Sequence, residues 1–276
     1  MGVLKTILAI LVFFFVIDKV LPFNPLREIN PIRTNKYWTY IEESSDDVLV
    51  PDYLTMCLDK MKRKLPDLVV LTPNNIHLYL DDFPIKMDCM SPICLKERVN
   101  LLFSFILDKY GGVCISPGVI VMPKIYNFMY QTYNNDIVTI GKTNDYSKYK
   151  TSMIGAKKNT RVIKKYKELL LKSYLRNNES ELTDVFLEGT IKSIEDPCHF
   201  HFNNKRDGSE NTNGKLIDYK EYLGETIPPN LNILDTICIS IPFEQLLTDS
   251  KIKWITDMSK EDIESSDLLI NKLLKI

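Results

Sequence analysis

Residues 95–122 read LKERVNLLFSFILDKYGGVCISPGVIVM, and they decide the fold. Leu95 to Tyr110 is a strongly apolar run at helical spacing. Gly111-Gly112 stops it, as glycine does past the end of a helix. Val113 to Ile115 is a short apolar strand; Ser116-Pro117-Gly118 breaks it and Val119 to Met122 resumes it. A helix feeding a strand through a glycine turn is part of a βαβ unit and predicts a layered α/β protein.

The flanks extend the alternation. KYWTYI (36–41) is aromatic and β-branched, a strand. In 50–65, Leu54, Leu58, Met61 and Leu65 recur at helical spacing, with Pro51 near the start. DLVVLT (67–72) is a buried strand ended by Pro73-Asn74-Asn75. DIVTIG (136–141) and TSMIGA (151–156) read as strands, and 161–175 as an amphipathic helix with a basic outer face. Beyond Asn177 the pattern weakens. NNKRDGSENTNGK (203–215) reads as an exposed polar loop, 233–241 as a strand and 261–276 as a closing helix. The expected fold class is α/β, a mixed and mainly parallel sheet flanked by helices, with no internal repeat.

Composition excludes several classes. Of 276 residues, 45% are hydrophobic and 26% charged, ordinary for a folded domain and unlike a disordered chain or a multi-span transporter. With 35 basic and 36 acidic residues the formal charge is −1, so no global basic field favours nucleic acid. Cys57, Cys89, Cys94, Cys114, Cys198 and Cys238 are too few for a disulfide scaffold and lack zinc-type CxxC spacing. Cys89 and Cys94 could pair locally in an oxidising compartment, and that alternative stays open.

The N-terminus carries a separate signal. Ile7 to Ile17 is uninterruptedly apolar, and Val20, Leu21 and Phe23 extend it toward the 20 or so residues a bilayer helix needs. Residues 1–23 are therefore expected to be a single-pass membrane anchor of type II-like arrangement, and 24–35, with two prolines, a stem. A cleaved signal peptide is the rival, although no small-residue cleavage site follows. Met1-Gly2 with Thr6 fits a loose myristoylation pattern. Lys5 opposes Lys19, Arg27 and Arg33, so orientation stays open.

The ordered segments KYWTYIEES, PDLVVLTPNNIHLYL, the Tyr110-Gly111-Gly112 turn with its strand, and TSMIGAKKNTRVIKKYKELL resemble the capsular-polysaccharide-synthesis and mannosyltransferase-like glycosyltransferases, over about Lys36 to Tyr174. The resemblance implies a GT-A-like (Rossmann-like) domain at 36–276, following the transmembrane helix. It also implies transfer of a sugar from a nucleotide-sugar donor to a glycan acceptor, and relatives in bacteria and large DNA viruses. Its donor-contact candidates are Trp38, Tyr40, Asn100, Tyr110, Gly111, Gly112, Ser116 and Gly118.

In that family an Asp-x-Asp follows the strand and holds Mn²⁺ or Mg²⁺ against the donor diphosphate. Here those positions are Ser116-Pro117-Gly118, and the helix positions that usually carry an Asp and an Arg are Asn100 and Phe103. The expectation is no metal cofactor. Either transfer proceeds with cations in the metal's place, for which Lys205 and Arg206 are the candidates, or the chain is an inactive scaffold that binds a glycan or a protein partner. An unrelated membrane-tethered interaction domain is the third alternative. Partners expected are a membrane, a nucleotide sugar and a glycan acceptor, with no nucleic acid.

Other constellations are weaker. Cys198, His199 and His201 put two imidazoles on one strand face, short of a metal site. Asp46-Asp47 and Asp81-Asp82 read as solvated turn acids. Ser116 lacks nucleophile-elbow context. The basic helix 157–172 reads as a solvated face that could also touch acidic membranes. Asn178 heads a lone sequon.

Overall fold

The computed structural model describes residues 36–42, 50–81, 83–84, 95–143, 147–175, 183–241 and 250–276. Asn35–Ile276 forms one compact unit. The expected anchor (1–23), stem (24–35), Asp46-Asp47, the Cys89 and Cys94 pair and the Asn178 sequon lie outside the described residues. Among the described residues no helix is long and apolar enough to cross a membrane.

In chain order the elements are β1 (Tyr37–Tyr40), α1 (Asp52–Lys64), β2 (Leu68–Leu71), α2 (Leu95–Lys109), β3 (Gly112–Ile115), β4 (Val119–Val121), α3 (Ile125–Asn134), β5 (Ile137–Ile140), β6 (Met153–Ala156), α4 (Arg161–Leu175), α5 (Thr183–Ser193), β7 (His199–Phe202), β8 (Cys238–Ser240), α6 (Lys260–Ser265) and α7 (Leu269–Lys275). Six strands form one sheet in the order β2-β1-β3-β6-β5-β7. β2, β1 and β3 run parallel, as do β5 and β7, and only β6 is reversed. The sheet is thus mixed and mainly parallel, and the expected strands at 36–41, 67–72, 113–115 and 136–141 share it.

Strand alternation fills two layers. Trp38, Tyr40, Cys114, Ile154 and Ala156 pack with α2, α4 and α5 on one face. Tyr37, Val113, Ile115, Val138, Ile140 and Met153 pack with α3 on the other. Burying each large side chain contributes about 1.5–3 kcal/mol. A third cluster joins α1, β4, β8 and the C-terminal helices. There the cationic end of α1 meets the carbonyl end of α7. Buried Lys60 donates to the Leu273 carbonyl, Arg63 to Leu274 O at 3.3 Å and Lys64 to Ile276 O at 2.8 Å, which suits the negative end of a helix.

Four expectations are corrected. Val119 to Met122 does not resume β3. Gly118 turns the chain at φ 78°, and β4 pairs with β8 in a separate two-stranded sheet. The closing helix is two helices, because Asn271 Nδ2 caps the carbonyls of Glu264 and Ser266 at 3.0 and 2.8 Å. Much of the polar loop 203–215 is pinned rather than exposed. Asn204 donates to and accepts from the Lys142 backbone, Asp207 pairs with Lys150 at 2.8 Å, and Asn211 donates to the Pro229 carbonyl. In the 233–241 segment only Cys238–Ser240 is a strand; Ile233–Asp235 is a 3₁₀ turn.

Candidate functional site

The chain moves from β1 outward to β2, then crosses back to β3 on the other side of β1. Strand order therefore reverses between β1 and β3. In open α/β sheets the crevice at the carboxyl ends of the strands flanking such a point is where ligands bind. β1 ends there at Tyr40, followed by Glu42, and β3 ends at Ile115, followed by Ser116-Pro117-Gly118. The reversed β6 brings its start, Thr151 to Met153, to the same edge.

These residues form one connected group. Ser116 N donates to Ser152 O at 2.8 Å. Asn100 Nδ2 donates to Thr151 Oγ1 at 3.1 Å. Arg98, two residues earlier on α2, meets Glu42 at 3.0 Å. The 15-residue α2 ends at Lys109 on the opposite edge, so its amino end and the positive pole of its dipole lie here. Asn100 Oδ1, Ser152 Oγ and Arg98 Nε are buried and lack a hydrogen-bond partner. Buried polar atoms are almost always satisfied, so these three atoms are open to water or to a polar ligand at this edge.

The metal implied by the family resemblance does not fit this edge. Ser116 offers one neutral hydroxyl. Gly118 is buried, its carbonyl accepting from Tyr53 Oη at 2.6 Å. A Cβ there would lie 3.0 Å from Ile241 O and 3.2 Å from the Tyr53 hydroxyl at φ 78°, so a carboxylate side chain would be both crowded and strained. Glu42 is committed to Arg98. Among the described residues no group of three or more His, Cys, Asp or Glu is placed to hold a metal.

The sequence-derived donor candidates divide between the two ends of the sheet. Tyr40, Asn100, Ser116 and Gly118 are at the carboxyl end. Trp38, Tyr110, Gly111 and Gly112 gather at the amino end, about 13 Å away along the four residues of β3. There Trp38 Nε1 donates to Gly111 O at 2.9 Å, and the Trp38 ring lies against Tyr79 and Tyr110. Gly111 and Gly112 adopt φ 70° and 105°, and a Cβ on Gly112 would sit 2.3 Å from Lys36 O. Phe103 is in the core. Lys205 bonds Thr212 O at 3.0 Å and lies 3.9 Å from Glu210. Arg206 bonds the backbone and carboxylate of Asp235 at 2.8 and 3.2 Å. Both cations follow β7, three strands from β3.

Sequence reasoning missed Arg98, Glu42, Thr151 and Ser152. Only the register of three strands with one helix end brings them together. A polar-charged pair at the start of an otherwise apolar helix, Arg98 and Asn100, was the available signal.

A second polar group lies on the helical face of β5 and β7. Thr139 Oγ1 is 2.8 Å from His199 Nε2 and 3.0 Å from His201 Nδ1, so the hydroxyl bridges the two rings, each ring's tautomer setting which group donates. Tyr149 lies 4.9 Å from both imidazoles, with Lys142 over its ring. Burial pushes both histidines down, His201 to about 4, so they are neutral near pH 7.

No protein family matches the sequence, and no curated protein does. Among solved structures the chain is similar to the PaToxG glycosyltransferase (12% identity, TM-score 0.39, covering 58% of this chain and 69% of that one). It is also similar to the bifunctional IspDF from Campylobacter jejuni (11% identity, TM-score 0.35, 68% of this chain). It spans about half, 53%, of the latter's length. Both likenesses are weak and concern the fold.

Proposed function

We propose that the chain is glycosyltransferase-like and binds the diphosphate of a nucleotide sugar at the carboxyl edge between β1 and β3. One observation carries this: Arg98, Asn100 and Ser152, each with a buried atom that lacks a hydrogen-bond partner, all lie at the edge where the strand order reverses. A diphosphate supplies acceptor oxygens to Arg98 Nε and to the Ser152 hydroxyl, and a ribose or sugar hydroxyl can donate to Asn100 Oδ1. Arg98 and the amino end of α2 meet the phosphate charge, the task a metal performs in the family the sequence resembles. The sequence resemblance supports a sugar donor and a glycan acceptor in polysaccharide or glycoprotein glycan synthesis. The apolar run Ile7 to Ile17 supports membrane attachment.

The test is calorimetry of the full chain with a panel of uridine and guanosine diphosphate sugars, with manganese and with a chelator. Binding is expected to be unchanged by the chelator. It should weaken about tenfold to a hundredfold in Arg98→Gln, the range for losing a charge-assisted hydrogen bond. Binding that needs manganese, or none to any donor, overturns the proposal. The acid-free turn Ser116-Pro117-Gly118 favours one second reading, an inactive scaffold. Glycan binding without nucleotide binding would support it.

A further inference from the structure

We infer that the amino edge of the sheet, on the side away from the proposed donor crevice, is a docking surface for an anionic lipid bilayer. Lys157, Lys158, Arg161, Lys164 and Lys165 fall within nine residues at the junction of β6 and α4. Lys158, Arg161, Lys164 and Lys165 are exposed and, among the described residues, pair with no acid; Lys157 lies 4.0 Å from Asp136.

Two independent observations give this patch a purpose. The first is its energetics. The opening turn of α4 carries no acid, although the positive end of a helix dipole favours acids there. Thr160 supplies the cap, its hydroxyl accepting from Ile163 N at 3.3 Å. The fold has no use for cations at that point. A chain that keeps several of them against its own dipole gains from an external anion.

The second is position. The chain enters the sheet at Lys36, exposed and beside the patch. Lys36 O accepts from Val113 N at 3.0 Å, and the adjoining Gly111 packs so closely on the basic loop that a Cβ would lie 2.7 Å from Lys158 N. The residues upstream of Lys36 include the apolar run Ile7 to Ile17. Of the nearby acids, Asp108 pairs with Lys167, Asp136 lies 4.0 Å from Lys157, and Glu168 is exposed one turn along α4 from Lys164, so the cations still outnumber the acids; Asp67 and Glu195-Asp196 stand at the starts of β2 and β7, the two margins of the sheet. Four or more clustered cations next to a membrane segment are the pattern that recognises anionic headgroups. Docking by this edge leaves the opposite edge facing water.

The experiment adds the full chain to vesicles of phosphatidylcholine, with and without phosphatidylserine, separates them by flotation, and measures acylation rates of individual lysines by mass spectrometry. On the anionic vesicles Lys36, Lys157, Lys158, Lys164 and Lys165 should react several-fold more slowly than on neutral ones. Exposed Lys215 and Lys253 should not change, and high salt should erase the difference. In the quadruple variant Lys158→Gln, Arg161→Gln, Lys164→Gln, Lys165→Gln, protection of Lys36 and Lys157 should vanish while the thermal midpoint is kept. Equal rates on the two vesicle types, failure to float with anionic vesicles, or protection by soluble heparin in place of vesicles would each overturn the inference.

Discussion

Replacing Gly112 by alanine should cost at least about 3 kcal/mol, several times what the same change costs at a glycine with open surroundings. The backbone at Gly112 has φ 105°, outside the left-handed well that other residues visit, which costs about 1–3 kcal/mol for a residue with a side chain. Its Cβ would stand 2.3 Å from Lys36 O and 3.0 Å from Trp38 Nε1. The first obstacle is backbone and cannot swing aside. Lys36 O also accepts from Val113 N at 3.0 Å, so moving it forfeits a ladder bond worth about 1 kcal/mol. Two other glycines calibrate the measurement. Gly214 has φ 81°, but the nearest atom to its Cβ is Glu210 Oε1 at 3.9 Å, so alanine there pays conformation alone, about 1 kcal/mol. Gly189, inside α5 with nothing within 4 Å, should become more stable by up to about 1 kcal/mol. Urea unfolding of the three full-length variants, followed by the fluorescence of buried Trp38, gives the order. If Gly112→Ala destabilises no more than Gly214→Ala, the Tyr-Gly-Gly turn is not the packing device described here.

Other outcomes follow from the charges. His201 titrates at about 4 when folded and near 6.5 when unfolded, so acid favours the unfolded chain. Stability should fall as pH drops from 6.5 toward 4, by about 1–2 kcal/mol once solvent screening of this half-buried ring is allowed for, and His201→Gln should flatten urea midpoints over that window. Burial lowers Lys60 to about 8, so between pH 8 and 10.5 the unfolded state holds the extra proton and the Lys60 contribution to stability rises with pH. The neighbouring Cys57 thiol, pushed up to about 12, acts in the opposite sense, so the difference between wild type and Lys60→Met across that range isolates the lysine. Arg161→Glu should stabilise the fold by the 0.3–1 kcal/mol or so that an acid gains at a helix start, raising the thermal midpoint, while weakening protection on anionic vesicles.

The framework was legible where side-chain period and length agreed. The strands at 36–41, 67–72 and 113–115 and the helices at 50–65 and 95–110 stand within a residue or two of where spacing put them. Helix α3 was passed over because IYNFMYQTYN is rich in residues of poor helix propensity. It forms because Ile125, Phe128, Met129 and Thr132 share a buried stripe. The 203–215 segment deceived for a related reason. Asn204, Asp207 and Asn211 are polar, yet each is buried by satisfying backbone or a lysine, and hydropathy does not register a polar atom's partner. The candidate site was half visible. Ser116 and Asn100 were singled out from a gapless match, whereas Glu42 and Arg98 become neighbours only through the pairing of β1 with β3 and the return of α2.

The grip of α1 on α7 sets a schedule for a chain made one residue at a time. Lys60 leaves the ribosome 213 residues ahead of Leu273, whose carbonyl it must find. At about 5–20 residues per second that is a wait on the order of ten to forty seconds. During it Tyr53 and Cys57 lack the C-terminal part of their cluster and Lys60 lacks its carbonyl partner, while Met61 can already pack on the sheet. The sheet strands before Ala156 can pair in the meantime, so the half bearing the strand reversal is expected to mature while α1 is still held open. A chaperone that shields one early helix would therefore govern the yield of the whole protein.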